Sequence, residues 1–213
     1  MTSTSVLDYD EQLMWSVLSR LETLALAKYR KDAPELATPE KQEIVRTLHE
    51  GVPDDRPIDT SPLGTPVREL LAAAAKPGQT DTLIVQGLLL ERLGQIIYKV
   101  LSSQQTASAA TRSLASTGWK ACSAVIGLAS QRLRSLVGEG DKLFDVFSTA
   151  SETVLRKLDS LGAGVDELFG KRFGLTFAEV LGDFTAELLP ACVELGMNRR
   201  KLICHLASVF MGQ

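Results

Sequence analysis

Apolar residues recur every three or four positions along most of this 213-residue chain, and the alternation a half-buried strand needs is almost missing. Between Asp8 and Arg30, Met14, Leu18, Leu21 and Ala25 mark one stripe, and Leu13, Val17 and Leu24 widen it. That spacing predicts an amphipathic helix of about six turns. Thr38, Pro39 and Glu40 predict the start of a second helix, since they supply a capping hydroxyl, a pre-set first φ and a carboxylate near the positive helix end. Gly51 predicts its stop. Residues 51–66, GVPDDRPIDTSPLGTP, hold four prolines at intervals that neither a helix nor a central strand accommodates. A long loop is expected there, acting either as a plain connector or as a partner-binding segment or hinge. Thr65-Pro66 predicts a further short helix through VRELLAAAA, ended by Lys76-Pro77-Gly78.

From Asp81 the apolar run passes into SSQQTASAATRSLASTG, which reads either as a polar linker or as a helix whose small residues permit close helix approach. Ala107, Ala110, Leu114 and Gly118 fall at spacings of three and four and favour the helix, with a break expected near Gly118. It continues through Trp119, Val125, Ile126, Leu133 and Leu136 to the GEGD of residues 138–141. Asp141 then opens a near-heptad helix with Leu143, Phe144, Phe147, Ala150, Val154, Leu158 and Leu161 on one face, and Gly162 and Gly164 predict its end. Thr176 and Glu179 fit a capping box for a helix that Pro190 is expected to kink or divide. The expected fold is all-α, an irregular bundle of about seven helices without a sheet. Residues 1–80 read as an N-terminal helical segment and 81–213 as the main bundle, unless the two form one continuous domain.

Composition bounds the partners. Hydrophobic residues make up 45% of the chain and the formal net charge is -3, so a sizeable core is available and a generally basic, nucleic-acid-coating surface is excluded. The charge is uneven. Residues 81–137 carry six Lys and Arg against two Asp and Glu, while the flanks 1–80 and 138–213 carry nine against thirteen and eight against eleven. The basic middle can complement the acidic flanks within the chain or meet an acidic partner surface. Cys122, Cys192 and Cys204 show no CxxC spacing, and the polar, acidic N-terminus is unlike a secretory leader, so a cytoplasmic setting with free thiols is expected. The apolar stretch Ile84 to Leu101 is interrupted by Glu91, Arg92, Gln95 and Lys99 and fails as a membrane span.

One stretch carries a motif. In ACVELGMNRRKLICHL, Ala191, Leu195, Gly196, Met197, Asn198, Arg199, Arg200, Leu202 and Leu206 fall in register with a helix-Gly-turn-helix pattern. Gly196 suits the turn, Asn198 the cap, and Leu195, Leu202 and Leu206 the angle between two helices. The stretch resembles the helix-turn-helix of Fis-like proteins and of the C-terminal domains of bacterial enhancer-binding activators. That resemblance implies DNA binding, with Arg199, Arg200 and Lys201 at phosphates or base edges. Two features depart from the family: the Gly-Asn turn before the first alanine is missing, and Ile203, Cys204, Val209, Phe210 and Met211 predict that the second helix is buried in a bundle.

Chemistry is otherwise thin. His49 and His205 stand in no metal-ligand spacing, neither FGKRFG nor GEGDKL has phosphate-loop spacing, and there is no Gly-x-Ser-x-Gly, so no cofactor, metal or catalytic set is assigned. The leading reading is a non-enzymatic cytoplasmic interaction or regulatory protein, binding a protein partner or a second copy of itself through helix–helix contacts. Its candidate contacts are the small-residue face Ala107, Ala110, Leu114 and Gly118 and the aromatic pair Phe144 and Phe147, each with intramolecular core as the competing assignment. The alternative is a DNA-binding regulator acting through Arg199, Arg200 and Lys201.

Overall fold

The computed structural model describes residues 7–51, 80–135 and 142–211. The proline-rich stretch beyond Gly51, the helix expected after Thr65-Pro66 and the GEGD segment lie outside the described residues. The long helices are α1 (Tyr9–Asp32), α2 (Pro39–Gly51), α3 (Thr80–Ser103), α4 (Ala109–Arg134), α5 (Lys142–Val165), α6 (Phe177–Glu194) and α7 (Arg199–Met211), and no strand occurs among the described residues. The architecture is an all-α multi-helix bundle.

Caps account for most starts. Asp8 and Glu11 form a reciprocal capping box at α1, Thr38 accepts from the Lys41 amide at α2, and Thr176 and Glu179 form a second capping box at α6. Pro190 sits inside α6, which runs on through it to Glu194 and is not divided. The break expected near Gly118 lies instead at residues 104–108, where α3 turns back into α4 without a glycine or proline. A tertiary contact supports that turn: the buried carboxylate of Glu11, on α1, accepts from the Ser108 amide at 2.8 Å, while the Ser108 hydroxyl caps α4. Similarly, α5 does not stop at Gly162. Phe177 packs against that glycine so closely that a Cβ there would lie 2.9 Å from the ring, and a π-helical turn over Asp166–Gly170 carries the chain to Gly174, whose φ of 64° reverses it.

The centre of the bundle is α3. It packs on α4 along the longest helix–helix seam and also meets α1, α5 and α6, and it buries side chains all round, from Leu83, Ile84 and Val85 to Tyr98 and Leu101. One contiguous core joins Met14, Trp15, Leu36 and Ile44 of the N-terminal segment to α3, α4 and the C-terminal helices. Along α1 the deepest line is Met14, Trp15, Glu22, Leu26 and Tyr29, while Leu13, Leu21 and Leu24 gather around Val17 in a separate small cluster.

Gly118 lets α3 and α4 approach closely. A Cβ on it would lie 2.7 Å from the Tyr98 ring, which is stacked on Trp15 at 6.1 Å between centroids and tied to Glu22 through its hydroxyl at 2.6 Å. A ring held in both ways has little room to yield. We expect Gly118→Ala to destabilise the fold by about 1–3 kcal/mol through overpacking, although alanine is the better helix former. Gly127→Ala, on the same helix with open space at its Cβ position, is expected to be neutral or to stabilise by up to about 1 kcal/mol. Chemical denaturation of the two variants checks the contrast.

Candidate interaction surfaces and a sealed polar cluster

Two kinds of polar site emerge, one inside and one outside. Inside, Lys41 of α2 lies between Glu22 of α1 and Glu91 of α3. Its ammonium pairs with the Glu22 carboxyl group and with both Glu91 oxygens, at 2.6 and 2.7 Å. Tyr29 donates to Glu91 at 2.9 Å and Tyr98 to Glu22 at 2.6 Å. All five side chains are buried. Burial opposes the charge on Lys41, and the two carboxyl groups outweigh it, holding the ammonium above the ordinary lysine range. Burial, then the neighbouring glutamates, push the Tyr29 and Tyr98 hydroxyls well above the usual phenol range, and burial followed by Glu91 does the same to the Cys122 thiol. These phenols and this thiol are held in their protonated forms, as donors rather than nucleophiles. The cluster ties three helices together and offers a ligand no open approach.

Sequence reading missed this cluster. Its signal was three charged residues in register with apolar stripes: Glu22 four residues after Leu18, Lys41 three before Ile44, and Glu91 three after Leu88. Each interrupts a stripe by a single position.

The small-residue face named from the sequence is turned inward. Ala107, Leu114 and Gly118 are buried and Ala110 is partly buried against the core. Phe147 is buried in the core too, and Phe144 is half-buried, its ring edge-on to His205 at 6.0 Å and under the Lys201 ammonium at 5.8 Å. These positions pack within the chain. His205 also meets the Ser151 hydroxyl at 2.7 Å, and partial burial, opposed by Glu152, lowers its pKa below the ordinary imidazole value. Burial pushes the Cys192 thiol up to about 12, against the opposing pull of Arg92.

The helix-turn-helix joint forms locally as its residues suggest. Gly196 has a φ of 87°, the Asn198 side chain accepts from the amides of Arg200 and Lys201 at 3.0 and 3.1 Å, and Leu195, Leu202 and Leu206 are buried. Arg199, Arg200 and Lys201 are exposed. The expectation that apolar residues bury the outer face of α7 does not hold for two of them: Ile203 is 45% exposed and Cys204 is exposed, because the core side of the helix is occupied by Leu202 and Leu206. Phe210 and Met211 are not described at the side-chain level.

The outer face of α4 was not picked out by sequence reading. Ala109, Ser113, Ser116, Lys120, Gly127 and Gln131 follow one another at three- and four-residue steps, with one seven-residue step, and all are exposed. Trp119 and Leu128 flank them, 41% and 38% exposed. Among the described residues no helix is long and apolar enough to cross a membrane, and no cluster of three metal-binding side chains occurs. No family model, curated protein or solved structure matches the chain.

Removing one partner from a buried ion cluster leaves the others desolvated and uncompensated. Lys41→Met is therefore expected to cost about 3–5 kcal/mol, whereas replacing Lys41, Glu22 and Glu91 together with apolar residues, with Tyr29→Phe and Tyr98→Phe, is expected to recover most of that loss. Urea unfolding of the two variants tests this, and a single variant as stable as the wild type would sink it.

Proposed function

We propose that this protein is a non-enzymatic interaction or regulatory protein that docks another protein chain on the outer face of α4. The observation that carries the reading is the make-up of that face. A solvated helix surface is ordinarily covered by long charged side chains, which shield the backbone and cost little helix propensity. Here Ala109, Ser113, Ser116 and Gly127 leave the backbone open at four of the six face positions, Lys120 and Gln131 being the two long side chains, and Trp119 and Leu128 stand beside them. Short side chains let a second helix approach closely, and an exposed tryptophan is a common anchor of such contacts. The two serines add hydroxyl groups that can bond to a backbone or side chain brought against them. A cytoplasmic setting fits the free thiols, of which two are buried.

A photoreactive amino acid placed at Ser116 tests the reading against the same label at the exposed Glu43 of α2. Covalent adducts to protein are expected from position 116 and not from position 43. Equal yields at the two positions, or none at either, would remove α4 as a docking face.

A second reading, DNA binding through α7, is favoured by the exposure of Arg199, Arg200 and the outer side of that helix. It predicts that a labelled random-sequence duplex gains anisotropy on titration at low salt and that binding falls steeply as salt rises. Replacing Arg199, Arg200 and Lys201 with Ala should abolish the signal in a variant that stays folded. No binding by the wild type at low salt rejects this reading.

A further inference from the structure

The outer faces of α4 and α6 are complementary in charge and similar in shape. Helix α4 has no acidic residue and exposes Lys120, Arg132 and Arg134, while its Arg112 is half-buried and donates to the Ala107 carbonyl; α6 has no basic residue and exposes Glu179, which also caps its own helix, Asp183 and Glu194, while its Glu187 is half-buried and faces Arg92 at 4.0 Å. Each also presents small side chains to solvent: Ala109, Ser113, Ser116 and Gly127 on α4, and Ala178, Gly182 and Ala186 on α6. A Cβ at Gly127 or at Gly182 would meet nothing within 4 Å. Of the five exposed large hydrophobic residues among those described, Trp119 and Leu128 belong to α4 and Val193 to α6, so three lie on these two helices.

We propose that the occupant of the α4 face is a second copy of this chain, which presents its α6. The inference rests on the reading of α4 as a docking face and names its partner. Spacing supports the match. At 1.5 Å per residue, Lys120 and Arg134 are separated by about 21 Å along α4, and Glu179 and Glu194 by about 22 Å along α6. Set antiparallel, the two helices bring Arg134, which shares the face of Lys120 and Gly127, near Glu179 and Asp183, and Lys120 near Glu194. Gly127 then falls opposite Ala186, where the backbones can approach most closely. The antiparallel sense also places opposite helix-dipole ends side by side. Because the two faces differ, the contact is heterologous, and each copy can both give α6 and receive one on α4. One helix pair is small beside the roughly 1,200–2,000 Å² of a stable specific interface, so the association is weak and concentration-dependent.

Sedimentation velocity over a range of protein concentrations at low and high salt tests this on the full chain. The wild type is expected to self-associate at low salt and to dissociate as added salt shortens the screening length from about 10 Å at 0.1 M to about 3 Å at 1 M. Two charge-reversed proteins supply the specificity control: Lys120→Glu with Arg134→Glu, and Asp183→Lys with Glu194→Lys, which leaves the Thr176–Glu179 capping box intact. All four positions are exposed, and circular dichroism checks that each protein remains folded. Each alone should associate about tenfold or more weakly than the wild type, because its reversed face no longer opposes the other in sign. An equimolar mixture should recover association, since the intact α4 of one meets the intact α6 of the other. A wild type that stays monomeric up to about 1 mM at low salt, an association that both reversals leave unchanged, or a mixture that fails to recover overturns the inference. In the first of these cases, adducts from position 116 to a different protein would leave the docking reading standing.

Discussion

The ammonium of Lys41, buried between Glu22 and Glu91, is the constraint on which the arrangement of the N-terminal half depends. A charge removed from water requires partners at fixed positions, and here they come from two other helices. A shift of α2 along α1 by one turn would leave both carboxyl groups without their cation, so the register of α1, α2 and α3 is set by chemistry as well as by shape. The tyrosines carry this constraint outward. Tyr98, held by Glu22, stacks on Trp15, and the Trp15 indole N–H donates to Thr111 at the start of α4 at 2.9 Å. The path runs from a buried lysine on α2 to the first turn of α4 without leaving the core.

The close approach of α3 and α4 follows from the same chain of contacts. Tyr98 is fixed at its hydroxyl by an acceptor and on its face by an aromatic ring, so the helix opposite must make room for it. Gly118 makes that room. A glycine in the interior of a helix costs about 1 kcal/mol relative to alanine, and here the cost is offset by a contact that no side chain would permit. Burial of Glu11 extends the linkage to the N-terminal end of α4, where its carboxylate accepts from the Ser108 amide and supports the turn between α3 and α4.

How much of this was legible in the sequence depends on whether the signal was local. The starts of α1, α2 and α6 are written in residues that bond to their own neighbours, and they fall where the capping side chains place them. Two boundaries were hidden because their determinants lie elsewhere in the chain. The turn at residues 104–108 is supported by a glutamate 97 positions from Ser108, and Gly162 stays helical with Phe177 packed over it. The same limit applies to sites. Periodicity finds a small-residue stripe on α4 but does not say which of its two small faces points inward, since alanine and glycine occur on both. The inner one was found by spacing to Gly118; the outer one needed Tyr98 to show which side the core takes.

Helix α4 carries small residues on two opposite faces, and the two faces solve different problems. On the inner face smallness is required by sterics, since the Tyr98 ring occupies the volume a side chain would need. On the outer face nothing among the described residues demands it: a Cβ at Gly127 would meet nothing within 4 Å, and longer polar residues in place of Ser113, Ser116 and Gly127 would improve helix propensity and shield the backbone. The same separation holds for charge. The buried glutamates and lysine satisfy one another inside, Glu187 faces Arg92 and Glu179 caps its own helix, whereas Lys120 and Arg134 of α4 and Asp183 and Glu194 of α6 lie exposed, each set on a helix that lacks the opposite sign. Internal packing among the described residues therefore accounts for the composition of one face of α4 and not for that of the other.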